Sequence, residues 1–225
     1  MVASIPDRSL SEKVRFRLKR HGARNLFHVL CMRAINAVVP FKILRGVCVE
    51  EPAAAYLACP EAYTAGLYGA KEMLRFAADP ANEIPQAFIE SVLDKGDECY
   101  ALTDGDGLAA YGWYAQGPTP VDSPRLRLRF SDAYVYMYKG FTSEHHRGKR
   151  LHAIGMTRAL REYRRRGFRG LISYVESTNF DSLKSCDRMG YRVFGSICLV
   201  RLFGRDFAFS SPGCRAFGFR VETAQ

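Results

Sequence analysis

The apolar positions between residues 132 and 167 change their spacing half-way along, and this change predicts a strand that leads into a helix. A tyrosine stands at every second position from Tyr134 to Tyr138, which is the period of a strand. From Leu151 to Tyr163 the apolar residues recur at helical spacing, with arginines on the other face, and Gly167 supplies a stop. The helix begins within a basic loop, Arg147 to His152, where free amide N–H groups and the helix dipole favour an anion.

The rest of the chain shows the same two periods, bounded by glycine and proline. They predict helices over residues 10–39, which Gly22 could break, and at Pro60–Asp79, Pro85–Asp94 and Asn179–Met189. They predict strands at Phe41–Glu50, Asp97–Leu102, Leu108–Gln116, from Arg125, and at Leu171–Val175, Tyr191–Phe203 and Asp206–Val221. An antiparallel meander followed by a parallel crossover is an α+β order. We therefore predict one domain over residues 41–225, preceded by a helical extension over residues 1–40.

The positive charge is concentrated at the N-terminal end. The formal net charge is +10, and residues 1–45 contain ten Lys or Arg against only Asp7 and Glu12. This asymmetry indicates an acidic partner: phosphates, anionic lipid or an acidic carrier protein. An amphipathic stripe from Leu26 to Val38 follows the basic run, as in helices that lie on an anionic membrane. A solvated basic stretch before a helix packed on the domain is an equally good interpretation, and no nucleic-acid-binding motif accompanies the charge.

The cysteines and apolar runs predict a cytoplasmic protein. The seven cysteines are scattered, with no C-x-x-C pair and no histidine spacing suited to zinc, so we expect reduced thiols and no metal. The basic run from Arg8 to Arg24 is too long for the start of a signal peptide, and the apolar run from Asn25 to Pro40 is too short and too polar to span a bilayer. A location at the inner face of the membrane follows only if the N-terminal helix binds lipid.

Two motifs in the right order resemble a known family. The segment HHRGKRLHAIG is similar to the acyl-CoA pyrophosphate loop of the GNAT superfamily of N-acetyltransferases, and Arg147 to Lys149 match a common arginine-glycine-lysine version of it. Arg150 and His152 depart from it, because they stand where the family usually has glycines. About thirty residues later, NFDSLKSCDRMGY resembles the second family motif, an asparagine that opens a short helix. The resemblance implies a GNAT-like mixed central sheet flanked by helices, with the N-terminal helix as an addition.

The resemblance also implies a binding site for an acyl-CoA donor. The loop would take the pyrophosphate, the preceding strand would pair its backbone with the pantetheine arm, and the second motif would contact that arm from the other side. The donor-binding residues expected on this basis are Phe141, Thr142, Arg147, Gly148, Lys149, Arg150, Leu151, His152, Asn179 and Ser182. Asn179 also has the sequence context of an ordinary helix N-cap, and both roles are compatible.

The catalytic residues are less clearly marked. Members of the family often place a carboxylate in the fourth or fifth strand, but the corresponding positions here are Tyr136 and Tyr174. Glu176 lies two residues beyond Tyr174, on the same strand face, and is the nearest carboxylate that could act as general base. Cys186 stands where many members have a tyrosine acid, although a small buried apolar cysteine on a helix is the more ordinary interpretation.

These features predict an acyltransferase that moves an acetyl or other acyl group from acyl-CoA to a primary amine of a small-molecule or peptide acceptor. Two alternatives stay open. An acyl carrier protein could replace coenzyme A as donor, because Arg150 and His152 replace glycines of the pyrophosphate loop. A non-catalytic protein with the same fold, binding a partner or a membrane, would explain why the carboxylate and the tyrosine acid are missing.

Overall fold

The structure is a computed structural model, and it describes residues 10–223. Its helices are α1 (Leu10–Asn36), α2 (Ala70–Ala77), α3 (Gln86–Leu93), α4 (Leu151–Arg165), α5 (Phe180–Arg188) and α6 (Pro212–Arg215). Its strands are β1 (Phe41–Val49), β2 (Thr64–Gly69), β3 (Glu98–Asp104), β4 (Gly107–Ala115), β5 (Thr119–Val121), β6 (Ser123–Arg129), β7 (Tyr134–Thr142), β8 (Gly170–Glu176), β9 (Arg192–Leu202), β10 (Arg205–Ser210) and β11 (Arg220–Thr223).

Eight strands form one mixed sheet in the order β10-β9-β1-β8-β7-β4-β3-β2. Every neighbouring pair is antiparallel except β7 and β8, which are parallel and are connected through α4. A parallel pair needs such a crossover because the chain must return to the starting edge of the sheet. The predicted α+β class, with a mixed central sheet flanked by helices, is confirmed.

Both faces of the central sheet are covered. On one face, α4 and α5 pack on strands β1, β7 and β8, with Leu160 and Tyr163 of α4 fully buried. On the other face, a small sheet of order β11-β6-β5 covers the same strands, while α2 and α3 cover β3 and β4. Burial on both faces explains why β4 reads as a nearly continuous apolar run instead of an alternating one.

The prediction of a helix over residues 60–79 is wrong in its first half. Thr64–Gly69 is strand β2, which pairs with β3 along its whole length, and only Ala70–Ala77 is helical. Gly66 and Gly69 weaken the local helix preference, so the edge of the sheet decides the conformation. The last predicted strand, residues 206–221, also divides: Pro212 begins the short helix α6, and β11 joins the small sheet.

Strand β1 was predicted as the first strand, and its bounds are confirmed. Its position is unexpected, because it lies in the middle of the sheet between β8 and β9. The chain before β1 therefore enters the fold next to the carboxyl end of β8, where Leu44 is paired with Glu176. This position brings α1 to the same end of the sheet.

Helix α1 is kinked at Gly22, whose backbone lies in the left-handed half of the Ramachandran plot (φ 81°), as the sequence allowed. Its second half is partly packed: Met32 is buried, whereas Phe27 and Leu30 are 69% and 48% exposed. Both interpretations of the N-terminal segment therefore retain a structural basis, and membrane binding stays a prediction. Among residues 10–223, no helix combines the length and the apolar character needed to cross a bilayer.

The start of β8 gives a test of the sheet packing. A Cβ atom added at Gly170 would lie 2.3 Å from the backbone oxygen of Val49, which paired strands cannot move aside easily. We expect Gly170→Ala to destabilise the fold by about 1–3 kcal/mol and to lower Tm by roughly 2–10 °C. Gly117→Ala, where no atom lies within 4 Å of the added Cβ, is the matched control. Equal melting temperatures for the two variants would contradict this packing.

Candidate active site

The parallel strands β7 and β8 separate soon after they begin. They are paired only from Tyr134 and Gly170 to Tyr136 and Ile172, and beyond this point they diverge. Ser173 Oγ donates a hydrogen bond to the backbone oxygen of Met137 at 2.7 Å, just where the separation starts. The rest of β7, to Thr142, has no strand partner on this side among the described residues, so its backbone polar groups face a gap.

A bulge in β7 coincides with this divergence. Trp113 of β4 is opposite Lys139 and the next residue, Tyr114, is opposite Met137, so Tyr138 is the extra residue. Bulges bend a strand and redirect its side chains, and they are common beside active sites. Here the bulge turns the end of β7 away from β8.

The gap between the two strands widens into a cleft of about 220 Å³. Its walls come from β7, β8, α4 and α5, and the polar side chains among them are Tyr138, His152, Ser173, Tyr174, Ser182, Ser185, Cys186 and Tyr191. The Tyr191 hydroxyl is buried and has no hydrogen-bond partner among the described residues. An unpaired buried hydroxyl costs about 1–3 kcal/mol, so this one is a ready donor for a ligand.

The loop before α4 lies at one end of this cleft. Gly148 and Arg150 both adopt left-handed backbone conformations, with φ of 81° and 62°. For arginine this conformation costs about 1 kcal/mol. Arg150 thus has the left-handed backbone conformation that a glycine would adopt at this position of the loop motif. No side chain caps the helix start, which leaves the first amide groups of α4 available to an anion.

The side chains of the loop are tied to a tyrosine from the segment before β2. Lys149 Nζ donates to Tyr63 Oη at 3.0 Å, and the same hydroxyl is 3.0 Å from His146 Nδ1. Arg147 pairs with Glu144 at 3.1 Å on the exposed surface. The cations are thus held around the helix start, with Arg147 largely in solvent.

His152, the second residue in place of a glycine, points into the cleft. A Cβ atom at Gly140 would lie 2.7 Å from its Cε1 atom, so the glycine of β7 makes room for the imidazole. Burial lowers the pKa of His152 below its usual value, so the ring is neutral at pH 7. The sequence predicted contact with the pyrophosphate, whereas the ring lies beside the strand edge where the pantetheine arm was expected.

On the opposite wall, Asn179 and Cys186 occupy the two ends of α5. Asn179 is the N-cap: its Oδ1 accepts a hydrogen bond from the Ser182 amide at 3.1 Å. Ser182 and Cys186 line the cleft, and burial raises the pKa of the Cys186 thiol to about 11. This cysteine is therefore a protonated thiol at neutral pH, able to donate a proton but not to act as a thiolate nucleophile.

Glu176 lies at the end of β8 with its side chain 48% exposed. Its carboxylate is 3.5 Å from Lys42 Nζ, and Lys42 also hydrogen-bonds to Asp122. Tyr174 is on the same strand face, as predicted. This face packs on the small sheet, away from α4 and α5, and Glu176 is not among the residues that line the cleft.

Tyr136 is deeply buried under the small sheet, with 2% of its surface exposed. Its hydroxyl hydrogen-bonds to that of Tyr174, and burial raises the pKa of Tyr136 well above its usual value. In this position Tyr136 is able to influence a bound substrate only through Tyr174, which lines the cleft.

One polar group near the cleft was missed in the sequence. Asp97, at the turn before β3, is buried, and its Oδ2 accepts hydrogen bonds from Tyr138 Oη at 2.8 Å and Lys95 Nζ at 2.7 Å. It anchors the bulged residue of β7. In the sequence, Asp97 looks like an ordinary acid at a strand start. Of this pair, only Tyr138 belonged to a recognisable pattern, the alternating tyrosines of the predicted strand.

The sequence itself matches no protein-family model and no curated protein sequence. Solved structures of acetyltransferases are similar in fold. They include a tandem GNAT protein from the clavulanic acid biosynthesis pathway (14% identity, TM-score 0.49, 85% of this chain and 57% of that one) and a GNAT-family acetyltransferase from Colwellia psychrerythraea (15%, 0.47, 80% and 62%). A ribosomal-protein-alanine N-acetyltransferase from Brucella melitensis biovar Abortus 2308 is 15% identical, with a TM-score of 0.41 over 56% of this chain and 90% of that one.

The strand order and crossover agree with the fold that the two sequence motifs implied. Within this fold, the basic loop, the strand edge and the asparagine-capped helix lie around one cleft. Of the expected donor-binding residues, His152 and Ser182 contribute to the lining of the cleft. The ring of Phe141 stacks on Tyr111 on the other face of the sheet, and Leu151 is 1% exposed within the core, so only the backbone of these two residues is available.

The buried imidazole predicts a pH dependence of stability. The unfolded chain binds a proton on this histidine near pH 6.5 and the folded chain only at lower pH, so its contribution to stability is present above pH 6.5 and is lost as the pH falls. We expect Tm of the wild type to fall more steeply than that of His152→Gln between pH 7.5 and 5.5 in thermal melts. Parallel pH profiles would show that the imidazole is solvated.

Proposed function

We propose that this protein is a GNAT-type acyltransferase that moves an acyl group from acyl-CoA to a primary amine. The observation that carries the proposal is the divergence of β7 and β8 directly beside an uncapped helix start. One feature offers an unpaired strand edge to an extended amide-containing arm, and the other offers amide donors and cations to a pyrophosphate. Coenzyme A contains both groups at adjacent positions.

The donor would lie along the cleft. Its pyrophosphate would accept hydrogen bonds from the amides of Leu151 and His152, with Lys149 and Arg150 supplying positive charge. Its pantetheine amides would pair with the free edge of β7 up to Thr142. The buried hydroxyl of Tyr191 lines the same cleft and supports the proposal, because a ligand there would provide its missing partner.

The transfer removes two protons from the acceptor nitrogen and returns one proton to the leaving sulfur. The acceptor ammonium would lose its proton to Glu176, directly or through water, and the neutral amine would attack the thioester carbon. The carbon–nitrogen bond then forms, and the carbonyl oxygen becomes an oxyanion that a β7 amide would stabilise. As the carbon–sulfur bond breaks, the nitrogen loses its second proton to solvent. The coenzyme A thiolate takes a proton from solvent, or from the Cys186 thiol, which solvent then reprotonates.

A carrier-protein donor is the second candidate. Arg150 and His152 replace glycines at the phosphate loop, and Arg147 and Lys149 add exposed positive charge to the same surface. An acidic carrier protein would dock on these cations and insert its pantetheine arm without a nucleotide. Both donors contain the pantetheine arm. They differ in what would contact the loop before α4, which is a nucleotide pyrophosphate in coenzyme A and a protein surface in the carrier.

Donor binding is directly measurable. Coenzyme A at a hundredfold excess over its Kd should stabilise the fold by about 2.7 kcal/mol and raise Tm by roughly 5–10 °C. Arg150→Gly retains the left-handed backbone and removes the guanidinium, so it should weaken binding about tenfold if a charge-assisted hydrogen bond to phosphate is lost. Arg205→Gln, on the edge strand β10, is the matched control. A shift with acylated carrier protein but none with coenzyme A would favour the second candidate.

The proton transfer predicts the kinetics of a Glu176 variant. Glu176→Gln keeps the shape and removes the basicity, so kcat at neutral pH should fall by about 10²–10⁴ while the Kd for coenzyme A is unchanged. Raising the pH should recover part of the loss, since more of the amine is then already neutral. Cys186→Ala should cost roughly tenfold or less, because solvent is able to protonate the thiolate. Full activity of Glu176→Gln would remove this residue from the mechanism.

A further inference from the structure

A second cavity, of about 520 Å³, lies between α1, β1 and α5. Four cations and two histidines line it: Arg20, His21, Arg24, His28, Arg45 and Lys184. No carboxylate belongs to its lining among the described residues. This cavity is separated from the acyl-CoA cleft by α5, since Ser182, Ser185 and Cys186 face the cleft whereas Leu183 and Lys184 face the cavity.

The cations of this cavity are only partly neutralised. Arg20 pairs with Asp181 at 2.9 Å on the exposed rim, and Arg45 Nη1 donates to Ser196 Oγ at 2.9 Å, a neutral partner. Within residues 10–223, neither Arg24 nor Lys184 pairs with a carboxylate. The positive charge is therefore available to an anion that enters the cavity.

A neighbouring cavity of about 450 Å³ extends from this site to Glu176. Both cavities are lined by His21, Asn25, Ser177 and Phe180, so they adjoin under α1. Helix α1 is held there by His28 Nε2, which lies 2.9 Å from Ser177 Oγ, and by contact of both α1 histidine rings with Phe180. The proposed general base thus lies at one end of a path that has a cluster of cations at the other.

We infer that the acceptor of this enzyme carries a phosphate group in addition to its primary amine. The phosphate lies in the cavity among Arg24, Arg45 and Lys184, and the amine lies next to Glu176. This inference rests on the proposed acyltransferase function and names the substrate class of that site. Three cations from three elements, Arg24, Arg45 and Lys184, have no carboxylate partner within residues 10–223. A phosphate monoester carries a charge near −2 and accepts several hydrogen bonds from such cations.

Two sources supply an amine linked to a phosphate: a soluble phosphorylated amine and a phospholipid with an aminoalcohol headgroup. The outer face of α1 bears on this choice because it exposes Phe27 and Leu30 beside arginines. Such a face suits the headgroup region of a bilayer. The chemistry of the cavity is the same for both sources, so separate arms of one experiment distinguish them.

Phosphoethanolamine is the probe for the soluble source, titrated in the absence of any acyl donor. Isothermal calorimetry should detect binding of phosphoethanolamine and weaker binding of inorganic phosphate, and none of ethanolamine at the same concentration. Arg24→Gln and Arg45→Gln should each weaken phosphoethanolamine about tenfold, the usual effect of losing one charge-assisted hydrogen bond. Arg205→Gln is the control outside the cavity. Arg24 is exposed, so Arg24→Gln should fold and still test the inference if Arg45→Gln does not fold.

Vesicles of phosphatidylcholine with and without phosphatidylethanolamine form the second arm. If the protein sediments only with vesicles that contain phosphatidylethanolamine, and if Arg24→Gln and free phosphoethanolamine both reduce this sedimentation, the site is assigned to a lipid headgroup. Binding of soluble phosphoethanolamine without sedimentation assigns it to a soluble acceptor. Phosphoethanolamine binding that Arg24→Gln and Arg45→Gln leave unchanged, or no binding at all, overturns the inference. The coenzyme A melting shift, measured on the same variants, reports separately on the proposed donor site.

Discussion

Within residues 10–223, the backbone of β7 beyond Tyr136 lacks a strand partner on one side, and the candidate site depends on this. Unpaired backbone groups in a protein interior are costly, so a strand edge of this kind persists only where another group satisfies it. Ser173 closes the first position of the gap by donating to Met137, and the bulge at Tyr138 turns the remainder away. The remaining edge of β7 is open inside the cleft. Such an edge suits an extended ligand whose amide groups form hydrogen bonds with the strand backbone.

The loop before α4 shows how a departure from a family motif can preserve the geometry that matters. Arg150 stands where glycine is usual, yet its backbone stays left-handed, so the amide groups keep their directions at a cost in strain. His152 has a different effect, because its side chain occupies space beside Gly140 instead of leaving the loop open. The first substitution adds charge at the phosphate end of the cleft, and the second adds a neutral imidazole to its wall.

Helix α1 is more than an attached segment in this structure. The position of β1 in the middle of the sheet brings α1 over the ends of β8 and α5, where the hydrogen bond between His28 and Ser177 holds it. The consequence is a pair of adjoining cavities that the central domain alone would leave as open surface. The basic residues of α1 then face two environments, a cavity on the inner side and solvent on the outer side.

Local pattern in the sequence was enough to predict the organising strand and helix, the break at Gly22, the α+β class and the basic loop at the start of α4. Each of these depends on residues close together in the chain, where the period of apolar side chains, glycine and charge act directly. The sequence did not predict the strand at Thr64–Gly69, the place of β1 beside β8, the bond of Tyr138 to Asp97, or the imidazole of His152 inside the cleft. These features depend on partners 29 or more residues away or on the space that one glycine leaves free. Pairing and packing energies between distant segments decide them only once the whole chain has folded.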